Sequence, residues 1–160
     1  MIDSGGVMKF HIQTWGCQMN DHDGEKLSGL LSADGFEEVG SAEEAELVLL
    51  NTCSIREKAV HKVYSELGRL REEKHRRPLL VGVTGCLAQQ EQAALFKRAP
   101  HIDFVLGTRP RFMTAGSRYW ETGVNGLFLR TIFDRAFFNH ERADLRESLI
   151  LRHNRDVVGI

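Results

Sequence analysis

The stretch "AELVLLNTC", residues 45–53, decides the fold. Leu47, Val48, Leu49 and Leu50 follow one another without a break and run into a polar turn and a cysteine. An apolar run of strand length with no solvent-facing side predicts a strand covered on both faces, as in parallel sheets. The pattern returns in "PLLVGVTGC", residues 78–86, which also closes on a cysteine. Between them, "IREKAVHKVYSELGRLREEKH", residues 55–75, repeats Ala59, Val63, Leu67 and Leu70 near helical spacing, and Pro78 stops it. Two doubly buried strands joined by a helix make a parallel crossover.

Working outward, "MKFHIQTW" (residues 8–15) reads as a strand. A helix follows, capped by Asn20 or Asp21, with Leu27, Leu30 and Leu31 as its buried stripe and Gly35 at its end. "FEEVG" is a short edge strand. "LAQQEQAALFKRA" is a helix stopped before Pro100, and "IDFVLG" is a last short strand. The expected class is α/β, a flavodoxin-like or Rossmann-like parallel sheet of four to five strands with helices on both faces. Residues 1–7 read as a disordered lead-in and 8–111 as the domain. Residues 112–160 read as a loosely packed C-terminal extension that adds no strand. The charge run "RLREEKHRR", residues 69–77, reads as a solvated face, with RNA contact as the alternative.

The chain has 160 residues, enough for one domain with a real core. With 42% hydrophobic and 27% charged residues its composition is ordinary for a globular protein. A net charge of -1 gives no basic footprint. No apolar run approaches the roughly 20 residues of a membrane span, and the N-terminus has no signal-peptide pattern. Three cysteines without an export signal point to the reducing cytoplasm, and their odd number leaves one over in any disulfide scheme.

Cys17, Cys53 and Cys86 each sit just past the carboxyl end of a predicted strand. Open parallel sheets bind ligands at that edge, where the strand order reverses. In the order 2-1-3-4-5 the three cysteine-bearing strands are neighbours, about 4.8 Å apart. Each cysteine precedes a helix, whose N-terminus favours a thiolate. Gly16 and Gly85 precede two of them and allow close backbone approach. The alternative is that each cysteine is a small core residue. Zinc would need His22 as a fourth ligand. Three thiolates without a fourth suit an iron–sulfur cluster with one open iron.

"TWGCQMN", "NTCSIREKA", "TGCLAQQ" and "DFVLGT" together resemble the N-terminal domain of the radical-SAM methylthiotransferases, over about Lys9 to Thr108. Trp15 and Gln18–Met19 resemble the tRNA-modifying branch rather than the ribosomal-protein one. The resemblance implies that Cys17, Cys53 and Cys86 hold an auxiliary 4Fe-4S cluster whose open iron carries the sulfur to be delivered. It implies a full-length enzyme that adds a methylthio group to carbon 2 of N6-isopentenyladenosine beside the anticodon of tRNA, using S-adenosylmethionine and a second 4Fe-4S cluster. Asn20 and Asn51 match family asparagines near the cluster loops, with helix capping or turn closure as the alternative. Arg56 and Gln89 are placed to touch an anionic cluster or the nucleotide, or else are solvated.

The second cluster needs a CxxxCxxC motif, and no cysteine follows Cys86. The chain alone is therefore expected to be catalytically incomplete. Residues 112–160, with Phe128, Phe133, Phe137 and Phe138 and only arginine as their Lys/Arg type, depart from the family linker and read as a truncation or frameshift remnant. The reading from another class is a stand-alone metal- or cluster-binding module that docks a partner, such as a separate radical-SAM chain.

Overall fold

A computed structural model describes residues 7–33, 35–91, 93–106, 111–114 and 121–122. The elements run β1 (Lys9–Trp15), α1 (Gln18–Ala33), β2 (Glu37–Glu38), β3 (Leu47–Thr52), α2 (Glu57–Arg76), β4 (Leu80–Gly85), α3 (Cys86–Glu91), α4 (Ala93–Arg98), β5 (Phe104–Leu106), β6 (Arg111–Thr114) and β7 (Glu121–Thr122). Every residue of β3 and β4 is buried, as their unbroken apolar runs require. The α2 stripe is Ala59, Val63, Leu67 and Leu70, all buried.

The five strands β2-β1-β3-β4-β5 are parallel and stand in that order. From β1 the chain steps one way to β2; from β3 it steps the other way to β4 and β5. Right-handed crossovers in opposite directions put their helices on opposite faces. One core accordingly joins Val48, Leu50, Val81 and Val83 to Val63, Leu67 and Leu70 of α2 and to Leu87 and Leu95. The other joins Leu47, Leu49, Phe10 and Phe104 to Leu31 and Leu27 of α1. Gly82 makes room on that second face, since a Cβ there would lie 2.5 Å from the Phe104 ring.

Three details differ from the sequence reading. Helix α1 starts at Gln18, earlier than a cap at Asn20 or Asp21 allows, and Leu30 is exposed rather than part of the stripe. The run read as one helix after Cys86 is α3 and α4, on either side of residue 92, which lies outside the described residues. The third concerns the extension: β6 pairs antiparallel with β5, and β7 with β6, so the sheet continues past residue 111. Without β6 the three-residue β5 would be an unpaired edge. The lead-in at 1–6, the remainder of 112–160 and its four phenylalanines lie outside the described residues.

Gly35 closes α1 with φ +88, and its neighbours form the paired bonds Phe36 N–H to Leu31 O and Gly35 N–H to Ser32 O. This cap turns the chain back into β2. At the far end of α2, Arg77 donates to Ala45 O and Ala42 O, fastening the turn that leads into β3.

Candidate metal centre at the carboxyl edge

Register puts the three cysteines on one level. Trp15 pairs with Thr52, and Thr52 pairs with Gly85, so the last residues of β1, β3 and β4 form one row. Cys53 and Cys86 each follow that row directly, and Cys17 follows it by one glycine. Cys17 and Cys53 flank the boundary between β1 and β3, where the sheet's winding reverses, which is where open sheets bind ligands. All three cysteines are free; Cys53 is buried, and Cys17 and Cys86 are half-buried.

The loops are drawn together by glycines and two asparagines. A Cβ on Gly16 would collide with Asn20 Oδ1 and lie 2.9 Å from Cys53 Cβ. Gly85 has φ +89, and a Cβ there would sit 2.6 Å from Thr52 O and 2.7 Å from Asn51 Oδ1. The glycines thus admit neighbouring protein atoms. Asn20 and Asn51 are almost wholly buried. Asn20 Oδ1 accepts from the Cys17 backbone N–H at 3.2 Å and from its thiol at 3.3 Å. Asn51 Nδ2 donates to Asn20 O at 2.6 Å, and Asn20 Nδ2 donates to Asn51 Oδ1 at 3.4 Å. Asn20 both caps α1, by reaching back to the residue before it, and ties that loop to the end of β3. Of the two alternatives at these positions, the bonds show capping at Asn20 and closure of the loop against β3 at Asn51.

Electrostatics distinguish the thiols. Backbone N–H groups of Asn20 and Met19 lower the Cys17 pKa, with the positive charge of Arg56 as a smaller help. This is the effect expected of a helix N-terminus on a thiol. Cys86 goes the other way: burial raises its pKa, and the charges of Cys53 and Cys17 add to the rise. That part of the rise at Cys86 follows from the nearness of the other two thiols. Arg56 also reaches the loop, its Nη1 donating to Gly16 O at 3.4 Å. Met19 and Ile55, beside Cys17 and Cys53, are exposed.

Among the described residues no three His, Cys, Asp or Glu side chains are arranged to hold a single metal ion. Four-coordinate zinc asks for sulfurs about 3.8 Å apart, from Zn–S bonds of about 2.3 Å. His22 is exposed, and its Nδ1 lies 3.9 Å from Glu25 Oε2 on the same helix, so it is turned to a carboxylate partner on the surface. A multi-iron group asks for less convergence, because each thiolate binds its own iron. An all-thiol donor set at one level, with two glycine-tightened loops, fits such a group better than one ion.

Sequence reasoning does not single out Lys58 and Lys62. With Trp15, Gly16 and Arg56 they line a surface cleft of about 470 Å³ beside the cysteine edge. Their signal in the sequence is a like-charged pair four residues apart at a helix start. The charge run at residues 69–77 is largely tied to the fold: Arg69 pairs with Glu66 and Glu43, Lys74 with Asp103, and Arg77 with Glu73. No helix among the described residues is long and apolar enough to cross a membrane.

The profile of the family described as "Uncharacterized protein family UPF0004" matches residues 9–107. A "tRNA-2-methylthio-N(6)-dimethylallyladenosine synthase" of Herminiimonas arsenicoxydans is 54% identical over 101 residues, 62% of this chain and 23% of its own length. One of Geobacter metallireducens is 52% identical over 103 residues, 64% of this chain and 23% of its own. One of Clostridium botulinum is 38% identical over 138 residues, 84% of this chain and 30% of its own, a span that runs past residue 111. The chain thus spans less than a third of the length of these relatives. It belongs to the UPF0004 family, the N-terminal domain of the methylthiotransferases.

Proposed function

We propose that this chain is the sulfur-donor domain of a tRNA methylthiotransferase, and that Cys17, Cys53 and Cys86 hold an auxiliary 4Fe-4S cluster. One observation carries the reading: the row Trp15–Thr52–Gly85 sets the three cysteines side by side around the point where the sheet reverses. When bound, such a cluster supplies an open iron site from which sulfur is delivered. The protein's part is to hold it. Asn20 and Asn51 fix the Cys17 loop against β3. Backbone N–H groups and Arg56 favour the Cys17 thiolate that a metal requires.

The whole reaction adds a methylthio group to carbon 2 of N6-isopentenyladenosine in tRNA. Its S-adenosylmethionine step needs a second cluster with three further cysteines, and this chain has only three in all. That step belongs to the part of the relatives' length that this chain does not span. A place of action in the cytoplasm follows from tRNA as substrate.

The test is anaerobic reconstitution with iron and sulfide. The expected result is about four irons per chain with the broad visible absorption of a cluster, and loss of both in Cys53→Ala. Iron uptake that is unchanged in Cys53→Ala would overturn the assignment.

A further inference from the structure

We propose that the cleft between Trp15 and the start of α2 binds single-stranded RNA, with a base against Trp15 and phosphates against Arg56, Lys58 and Lys62. This rests on the reading above for the presence of RNA and adds a place of contact that the cysteines do not provide.

Four observations converge on the cleft. Trp15 packs one side against the core under α2 and lines the cleft with the rest. Arg56, Lys58 and Lys62 are exposed on the same wall, and one acid, Glu57, stands among them. Among the described residues Arg56, Lys58 and Lys62 form no ion pair, which they share with Lys9, Lys26, Arg71, Arg76 and Lys97; what sets the three apart is that they gather round one cleft with Trp15. Finally, the three cations stand where they work against the helix. Arg56 is the N-cap and makes no capping bond, and Lys58 lies in the first turn, at the positive end of the helix dipole. Lys58 and Lys62 are four apart, a repulsive spacing. Charges placed against their own helix, with Lys58 and Lys62 in no ion pair among the described residues and Arg56 bonded to Gly16 O, are a mark of a site kept for a ligand.

The ligand's chemistry follows. Three cations ask for an anion. An aromatic wall asks for a flat face beside it, which an acidic peptide does not bring and a nucleotide strand does. The cleft is open to the surface and reaches Gly16, the residue before Cys17 in the chain, so a bound strand lies beside the cysteine edge. The Arg56 bond to Gly16 O links the two.

The probe is a fluorescein-labelled oligoadenylate RNA of about seven nucleotides, titrated with the full chain by anisotropy at about 50 mM and about 200 mM salt. A Trp120→Phe background makes tryptophan emission report on Trp15 alone, since the chain has two tryptophans. Binding should quench that emission. Lys58→Gln/Lys62→Gln should weaken binding by about tenfold or more and lower the salt slope by about two. Both lysines are exposed, so this variant stays folded even if a Trp15 variant does not. Absence of binding at low salt, an unchanged slope in the double variant, or displacement by a polyglutamate peptide as readily as by RNA would overturn the proposal. Iron reconstitution is measured on the same samples. RNA binding lost with iron uptake intact removes this inference alone; iron uptake lost with RNA binding intact removes the cluster reading alone.

Discussion

Helix α2 is basic at both ends, and the two ends use their charges in opposite ways. Its last turn lies at the amino edge of the sheet. There Lys74 reaches Asp103 at 2.5 Å and His101 O at 2.8 Å, and Asp103 in turn accepts the Val81 N–H at 2.8 Å. Arg77 holds the turn before β3. These cations also sit at the negative end of the helix dipole, where they stabilise it. The start of the helix lies at the carboxyl edge, beside the cysteines; Lys58 and Lys62 form no ion pair among the described residues, Arg56 bonds to Gly16 O, and Arg56 and Lys58 are wrongly placed for the dipole. One edge is built for stability. The other spends stability on positive charge, two close-packed glycines and an asparagine pair that brings the thiol loops together.

That contrast breaks most severely at Gly85. Alanine there would need a left-handed backbone and would press its Cβ on Thr52 O. Gly85→Ala should cost about 3 kcal/mol or more, read from urea denaturation. Lowered stability with iron binding unaltered would show that the thiol loops do not depend on this close approach.

At the amino edge, Lys74→Met leaves Asp103 without its cation, in a pair whose side chains are only 14% and 18% exposed. The expected loss is about 1–3 kcal/mol, with iron uptake and RNA binding of the remaining folded protein unchanged. A change in either would show that the two edges are coupled.

His101, also at the amino edge, adds a pH dependence. Burial lowers its pKa below the usual 6.5; Lys74 and Arg71 push the same way, against its bond to Leu67 O and the charge of Asp103. Its Nε2 has no hydrogen-bond partner among the described residues. A depressed histidine pKa means that the unfolded chain takes up the proton first. Stability is therefore full above pH 6.5 and falls as pH drops below it. His101→Gln should flatten that fall, checked by thermal melts across the range.

The smallest effect has the opposite sign. Lys58→Gln/Lys62→Gln removes a repulsive pair at little cost in helix propensity. It should stabilise the domain by about 0.3–0.8 kcal/mol at low salt, with the gain shrinking as salt is added. A gain in melting temperature together with a loss of RNA binding would sharpen the contrast between the edges; a loss of stability would undo it.

Much of this was legible in the sequence. The runs at 47–50 and 79–83 could only be doubly covered strands, and α2 announced its inward stripe residue by residue. The parallel class and the cysteines at strand ends followed from the same alternation, whereas the order 2-1-3-4-5 was a supposition that the pairing of the strands bears out. What escaped depends on distant partners. Lys74 and Arg77 looked like surface charge because Asp103 and the carbonyls of Ala42 and Ala45, which they reach, lie far along the chain. Asn20 looked like a cap because its second bond, to Asn51, has no local signature. Leu30 kept helical spacing with Leu27, yet α1 is covered on one narrow side, and periodicity alone does not say how wide that side is. β6 escaped because "RFMT" has neither alternation nor an apolar run; only the open edge of β5 gives it a place.

The order of the strands also fixes an order of events during synthesis. Cys17 leaves the ribosome early, but β1 then has a single neighbour, β2, that meets it at only Lys9 and Phe10. Its long partner β3 comes later, and the row of three cannot close until β4 has emerged and delivered Gly85. Until then Cys17 is a lone thiol on a half-built sheet. Afterwards the close approaches at Gly16 and Gly85 and the Asn20–Asn51 pair hold the three cysteine loops side by side.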